Sequence, residues 1–171
     1  MDIDQSVCPD LIGSITDLSQ IADASFDAIW CSHTLEHLYQ HEVAAALKSF
    51  RRILAPGGFA LITCPDLEAI AALITGGRLE EAAYQSPAGP ISALEMLYGH
   101  GPSIAQGQIF MAHRTGFTVE RMGRLLLEAD FFEALVTKGR TFDLWALALT
   151  RGASKQDLQH HLRTNGLDFF E

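Results

Sequence analysis

The sequence predicts an α/β domain, on three observations. Two short continuous apolar runs, Ala28-Ile29-Trp30-Cys31 and residues 59–64 (FALITC), have the pattern of strands covered on both faces of a parallel sheet. Between them Val43, Leu47, Phe50 and Leu54 recur at helical spacing and make one apolar stripe, which predicts a helix over residues 42–54. Pro56-Gly57-Gly58 ends that helix, because proline disfavours helix in the residue before it and glycine accepts positive φ. Strand, helix, tight turn and strand make one βαβ unit.

The remaining elements follow in order. A helix is predicted over residues 66–74, stopped by Gly76-Gly77. Residues 84–116 change character, with Pro87, Pro90, Pro102 and several glycines. Only a short helix over residues 92–97 is expected there, supported by Ser92 and Glu95 in capping-box spacing. Regular pattern resumes over residues 118–129, where Val119, Met122, Leu126 and Ala129 line one helical face. Two strands are predicted over residues 132–137 and 142–150, and a surface helix over residues 154–163. Alternation of this kind places the chain in the α/β class. Cys31, Cys64, Trp30 and Trp145 are expected in the core, and the terminal Phe169-Phe170 pair is expected to dock or to be loose.

Composition bounds the function. The 171 residues suffice for one domain with a single sizeable core. The net charge is −9, which argues against nucleic acid as a partner, since phosphate backbones demand clustered positive charge. The basic spots, Arg51-Arg52 and residues 138–140, read as solvated ends of elements. No apolar run approaches the roughly 20 residues that span a bilayer, and no secretory leader is evident at the N-terminus. Cys8, Cys31 and Cys64 are widely spaced and odd in number, so neither a disulfide framework nor a zinc ribbon is indicated, and a cytoplasmic location is expected.

Two stretches carry a resemblance. SFDAIWCSHTLEHL, then a helix, then FRRILAPGGFALIT resembles the middle of class I S-adenosylmethionine-dependent methyltransferases of the methyltransferase type 11 family. HRTGFTVERMGRLLLEADFF resembles a later segment of the same family, and the likeness covers about residues 1–149. It implies a Rossmann-like doubly wound sheet, S-adenosylmethionine as cofactor, and a small-molecule or sugar- or lipid-linked acceptor. A methyltransferase-like domain is thus expected over residues 1–150, with residues 84–116 as an insert or acceptor lid and residues 151–171 as a polar tail.

The resemblance also nominates site residues. Ligands of doubly wound sheets sit outside the carboxyl ends of the strands. Asp2, with Asp4 beside it, stands where the family places the acidic residue that holds the ribose hydroxyls. Ser14, Asp17 and Leu18 fall in the adenine-side stretch, and Ser32 and His33 in the loop along the cofactor. His37, His113 and Arg114 are the candidate catalytic residues; a structural anchoring role stands beside that one for all three.

The family's first strand and its G-x-G-x-G loop belong before Asp2, so the chain reads as an N-terminally truncated domain lacking that strand. A late start, a neighbouring chain that fills the gap, and a closed-up non-catalytic fold all fit. Loss of a central strand exposes unpaired edges, and a homo-oligomer is therefore expected. One alternative function is a non-catalytic methyltransferase-like module that self-associates or binds a partner. A remote one is a zinc hydrolase, since His33-Thr34-Leu35-Glu36-His37 spells H-x-x-E-H. That motif needs both histidines on one helical face, whereas His33 directly follows a strand and belongs to a turn. No metal ligand is therefore assigned.

Overall fold

The structure, a computed structural model, describes residues 1–168 and 170. The βαβ unit forms as predicted: β1 (Phe26–Ser32), α1 (Gln40–Ile53) and β2 (Leu54–Pro65). α2 (Leu67–Thr75) follows, then a hairpin of β3 (Ala82–Ser86) and β4 (Gly89–Ser92). The chain continues through α3 (Ala93–Tyr98), α4 (Gly101–Ala105), α5 (Val119–Glu128), β5 (Glu133–Lys138), β6 (Asp143–Leu149) and α6 (Lys155–Thr164). The main sheet has the order β1-β2-β6-β5, with β1 parallel to β2 and β6 antiparallel to both β2 and β5.

Strand β2 alternates between two cores. Ala60, Ile62 and Cys64 face the cluster built with Val43, Ala46, Leu47 and Phe50 of α1 and with Met122, Leu125 and Leu126 of α5. Leu61 faces the other side, where Leu147, Leu149, Leu162 of α6 and Phe170 gather. The two-residue side-chain period of a strand dictates this division. Phe170 of the terminal aromatic pair is therefore docked, its carbonyl accepting a hydrogen bond from Gln159 Nε2 at 2.9 Å, while Phe169 lies outside the described residues.

Local chemistry sets the boundaries. Glu42 reaches back to the Tyr39 amide at 2.7 Å to open α1, and Asp66 caps α2 through the Glu68 amide at 2.9 Å. Ser92 and Glu95 form the predicted capping box on α3. The Pro56-Gly57-Gly58 turn is fastened to the end of β6: Thr150 donates through both its amide and its hydroxyl to the Gly58 carbonyl. A Cβ on Gly58 would meet the Asp27 carbonyl at 2.8 Å, so only glycine lets β1 and this turn approach so closely.

Three expectations are corrected. β1 is not covered on both faces: it is the sheet's edge, and of its residues only Cys31 is buried. Trp30 is accordingly 57% exposed and packs by one face on the half-buried Trp145, ring centroids 5.6 Å apart, instead of sitting in the core. At Asp2, where the resemblance implies a strand of the sheet, there is only a single parallel bridge to Ile12, and residues 8–25 run as irregular chain. In place of one short helix, residues 82–111 fold as the hairpin, α3, α4 and a 3-10 turn at Ile109–Met111. Their own core joins Ile70 and Leu73 of α2 to Ile91, Ala93 and Met96. Sequence periodicity is blind to such short elements.

The helical stripe on α5 gives a direct test. Leu126 is wholly buried and Leu127 beside it is 55% exposed. Leu126→Ala is expected to cost about 2–5 kcal/mol in urea unfolding, and Leu127→Ala no more than about 0.5 kcal/mol. Equal midpoints for the two variants would contradict the packing described.

Candidate functional site

β1 ends in a sharp turn. His33 takes a left-handed φ of 46° while its amide donates to the Thr63 carbonyl of β2 at 2.9 Å. A non-glycine residue held at positive φ marks a position over-determined by its surroundings. Residues Leu35–His37 then make a single 3-10 turn, with Leu35 and Glu36 buried and His37 half-buried. The helix that an H-x-x-E-H zinc hydrolase requires is absent here.

A cavity of about 630 Å³ lies between this turn, the outer edge of β1 and the irregular N-terminal chain. Asp2, Ser14, Leu18 and His33 line it, as do His37 and Arg114. Phe110 and Met111 come from the segment before α5, and Ile21, Ile29 and Trp30 give the wall its apolar part. Asp4, Asp17 and Ser32 are not on that wall. The Asp4 and Asp17 carboxylates accept from the Ser6 amide at 2.8 Å and the Ser19 amide at 3.0 Å, bonds that hold both carboxyls below their usual range. The Ser32 hydroxyl accepts from Thr63 Oγ1 at 3.1 Å, across to β2.

Arg51 and Arg52, expected to be solvated, instead make tertiary contacts. Arg51 Nε donates to the Asp130 carbonyl at 3.2 Å. Arg52 donates to the Leu18 carbonyl at 2.7 Å, the Ile21 carbonyl at 2.8 Å and the Asp23 carboxylate. A guanidinium fork can serve several acceptors at once, so α1 holds the irregular chain against the cavity.

The turn after β1 meets the chain before α5. Glu36 offers its carbonyl to the amides of Arg114 at 2.8 Å and Thr115 at 3.2 Å. His113 donates its amide to the Tyr98 carbonyl, and Gly99 pairs with Ala112 in an isolated antiparallel bridge. Gly99 has φ of 97° and its Cα backs directly onto the Met111 carbonyl, so no side chain fits there. The result brings the His37 and His113 rings edge to face, centroids 4.9 Å apart. His37 Nδ1 lies 3.2 Å from the Ala112 carbonyl and His113 Nδ1 2.8 Å from the Met96 carbonyl. Arg114 stacks on the Tyr39 ring at 4.6 Å and donates to the His37 carbonyl.

Electrostatics separates the histidines. The Glu36 carboxylate, 3.2 Å from His33 Nδ1, raises the His33 pKa above the ordinary histidine value. Burial pushes His113 below it, which keeps that imidazole neutral near pH 7. Sequence reasoning had named His37, His113 and Arg114 separately and assigned Glu36 only to the zinc motif. It missed Phe110 and Met111, which carry no local signal of a cavity wall.

The fold is shared with known proteins. Residues 4–62 match the Methyltransf_11 family, a methyltransferase domain. No curated protein matches the chain significantly. Among solved structures, a SAM-dependent methyltransferase from Thermotoga maritima, described as a possible histamine N-methyltransferase, superposes with a TM-score of 0.54 at 18% identity, covering 82% of this chain and 63% of its own. A SAM-dependent methyltransferase from Methanosarcina mazei gives 0.52 at 16% identity, with 82% and 66% covered. The Burkholderia thailandensis 1,6-didemethyltoxoflavin-N1-methyltransferase, solved with that substrate and S-adenosylhomocysteine, gives 0.51 at 15% identity, with 82% and 50% covered. This chain thus spans less than two thirds of the length of these structures. Its fold is the Rossmann-like fold of these methyltransferases, and residues 4–62 are similar to a methyltransferase domain.

Two measurements test the site as described. Cys31, on the cavity wall, and Cys64 are buried, and burial pushes the Cys31 thiol up to about 12, whereas Cys8 is exposed. Because the thiolate is the nucleophile, Ellman's reagent at pH 8 is expected to titrate one thiol quickly in the native protein and three in denaturant. Three fast native thiols would mean that the β1–β2 core is open. For the Arg52 clamp, Arg52→Lys keeps the charge but loses the fork. Faster hydrogen exchange is expected across residues 18–23, and unchanged exchange would show that the clamp is idle.

Proposed function

We propose that this chain forms the cofactor and acceptor side of an S-adenosylmethionine-dependent methyltransferase acting on a small-molecule or sugar- or lipid-linked acceptor. The observation that carries this reading is the cavity along the outer edge of β1 and the turn that follows it. Its volume of about 630 Å³ falls in the ordinary range for small-molecule sites, and it has the mixed wall a nucleoside-bearing cofactor needs. Apolar Leu18, Ile21 and Ile29 suit a base and a thioether chain, while Asp2, Ser14 and His33 supply polar groups around them.

In this reading Asp2 holds the ribose hydroxyls, a charge-assisted arrangement, with Ser14 and Leu18 beside the adenine. S-adenosylmethionine, when bound, supplies a methyl group on a sulfonium sulfur. The protein's share of the chemistry is positioning and exclusion of water. Residues 84–116 act as the acceptor lid, bringing Phe110 and Met111 as an apolar surface and Arg114 as a fixed cation. An acceptor hydroxyl or amine that gains a methyl group gives up a proton. Nε2 of His37 is suited to receive it, because Nδ1 is already committed to the Ala112 carbonyl.

A second reading rests on β1 itself. Its outer edge carries exposed Phe26 and Trp30 and has no partner strand among the described residues. Such an edge favours pairing, which fits a module that self-associates.

Calorimetric titration with S-adenosylhomocysteine separates the two. The cofactor reading expects micromolar binding that weakens about tenfold, or about 1.4 kcal/mol, in Asp2→Asn and is unchanged in Asp157→Asn, on α6. No binding, together with a dimer by light scattering that dissociates in Trp30→Lys, would favour the second reading.

A further inference from the structure

The turn after β1 holds a feature that methyl transfer does not require. Glu36 is 1% exposed. Its Oε1 contacts His33 Nδ1, while its Oε2 is buried with no hydrogen-bond partner. A buried carboxylate oxygen without a donor calls for a cation or a proton. The two imidazoles beside it are prepared in the same way. A backbone carbonyl only accepts, so the Nδ1 contacts of His37 to Ala112 and of His113 to Met96 place the proton on Nδ1 in both rings. Each ring then presents a bare Nε2. Ligand atoms of Glu36, His37 and His113 lie within 4.8 Å of one another.

We infer that Glu36, His37 and His113 bind a divalent first-row transition-metal ion, with zinc the best-matched. Two imidazoles and one carboxylate are a ligand set for zinc or ferrous iron, whereas magnesium and calcium take oxygen. Histidine ligands characteristically give their second ring nitrogen to a carbonyl or carboxylate, which fixes tautomer and orientation; both rings here already do so. Tetrahedral bonds of about 2.0–2.2 Å set donors roughly 3.4 Å apart, so donors spread over up to 4.8 Å draw together as the ion enters. The set differs from the H-x-x-E-H motif: His113, far along the chain, takes the place of His33, whose ring orients Glu36 instead. His37 also lines the cavity, so the ion sits at its edge, with an open position for water or an acceptor oxygen. Nε2 of His37 cannot ligate an ion and accept a proton at once, so a loaded site replaces that base.

The test uses the full chain, stripped with a chelator and titrated with zinc sulfate by calorimetry, with metal content measured after desalting. One equivalent per chain at submicromolar Kd is expected, with a rise in Tm. Cobalt(II) loading is expected to give the visible absorption of a four-coordinate nitrogen- and oxygen-ligated site. His113→Ala and Glu36→Gln should each weaken zinc at least tenfold. A double variant of the adjacent pair on α6, His160→Ala/His161→Ala, should retain it. Circular dichroism of the stripped variants checks folding; His113, only half-buried, carries the test if Glu36→Gln unfolds. Absence of stoichiometric binding would overturn the site, as would zinc that survives His113→Ala or depends on the α6 pair. A chain that takes no zinc but binds S-adenosylhomocysteine would leave the cofactor reading intact.

Discussion

Everything in this fold leans on β2. Its residues register with β1 on one side and β6 on the other, and its alternate side chains found the two cores that hold α1 and α5 on one face and α6 on the other. A strand in that position cannot shift by one residue without exchanging its two faces. The register is pinned at its start, where Gly58 lets the Asp27 carbonyl approach and Thr150 fastens the turn to β6. It is pinned again at its end, where Thr63 accepts the His33 amide. The second of these constraints shapes the site, because it forces β1 to stop and the chain to turn at His33.

From that turn onward the site is assembled by backbone, and side chains follow. Glu36 and His37 are placed by a single 3-10 turn in which the Glu36 carbonyl receives the amides of Arg114 and Thr115. The other half arrives through the close approach of Gly99 to residues 111 and 112. The segment between is rich in glycine and proline, and the physical role of one glycine is visible. Glycine permits the contact, and the contact delivers His113 and Arg114.

The elements with one strong periodicity were legible in the sequence. The stripe of α1, the capping box of α3 and the face of α5 landed within a residue or two of their observed ends. The burial of β1 was not legible, because an apolar run has the same pattern in a central strand and at an edge; the neighbours of Trp30 decide its exposure. The hairpin and α4 were missed because each is too short to show a period. At the site, the LEHL stretch drew attention for its letters, yet the letters alone admitted a cofactor loop and a zinc motif. Only the tertiary contact between residues 37 and 113 distinguishes the partners of Glu36. Arg52 was misjudged for a related reason: a basic pair at a helix end looks solvated until the acceptors around it, three residues of irregular chain, are known.

The same contact bears on how the cavity would treat an acceptor. In the proposed readings, a His37 with its proton on Nδ1 is a base directed at the cavity, and a His37 bound to a cation is an anchor for an oxygen. Which of these applies turns on Glu36, which is 1% exposed. Its charge must be met from within, by His33 on one oxygen and by a cation or a proton on the other. The hydrogen bond to Glu36 raises His33, whereas burial lowers His113 against the pull of the same carboxylate. A carboxylate in that position is costly to the fold unless it serves the site, because an apolar residue of similar size would pack there without needing partners. The buried Glu36 is therefore the group on which the proposed metal site turns.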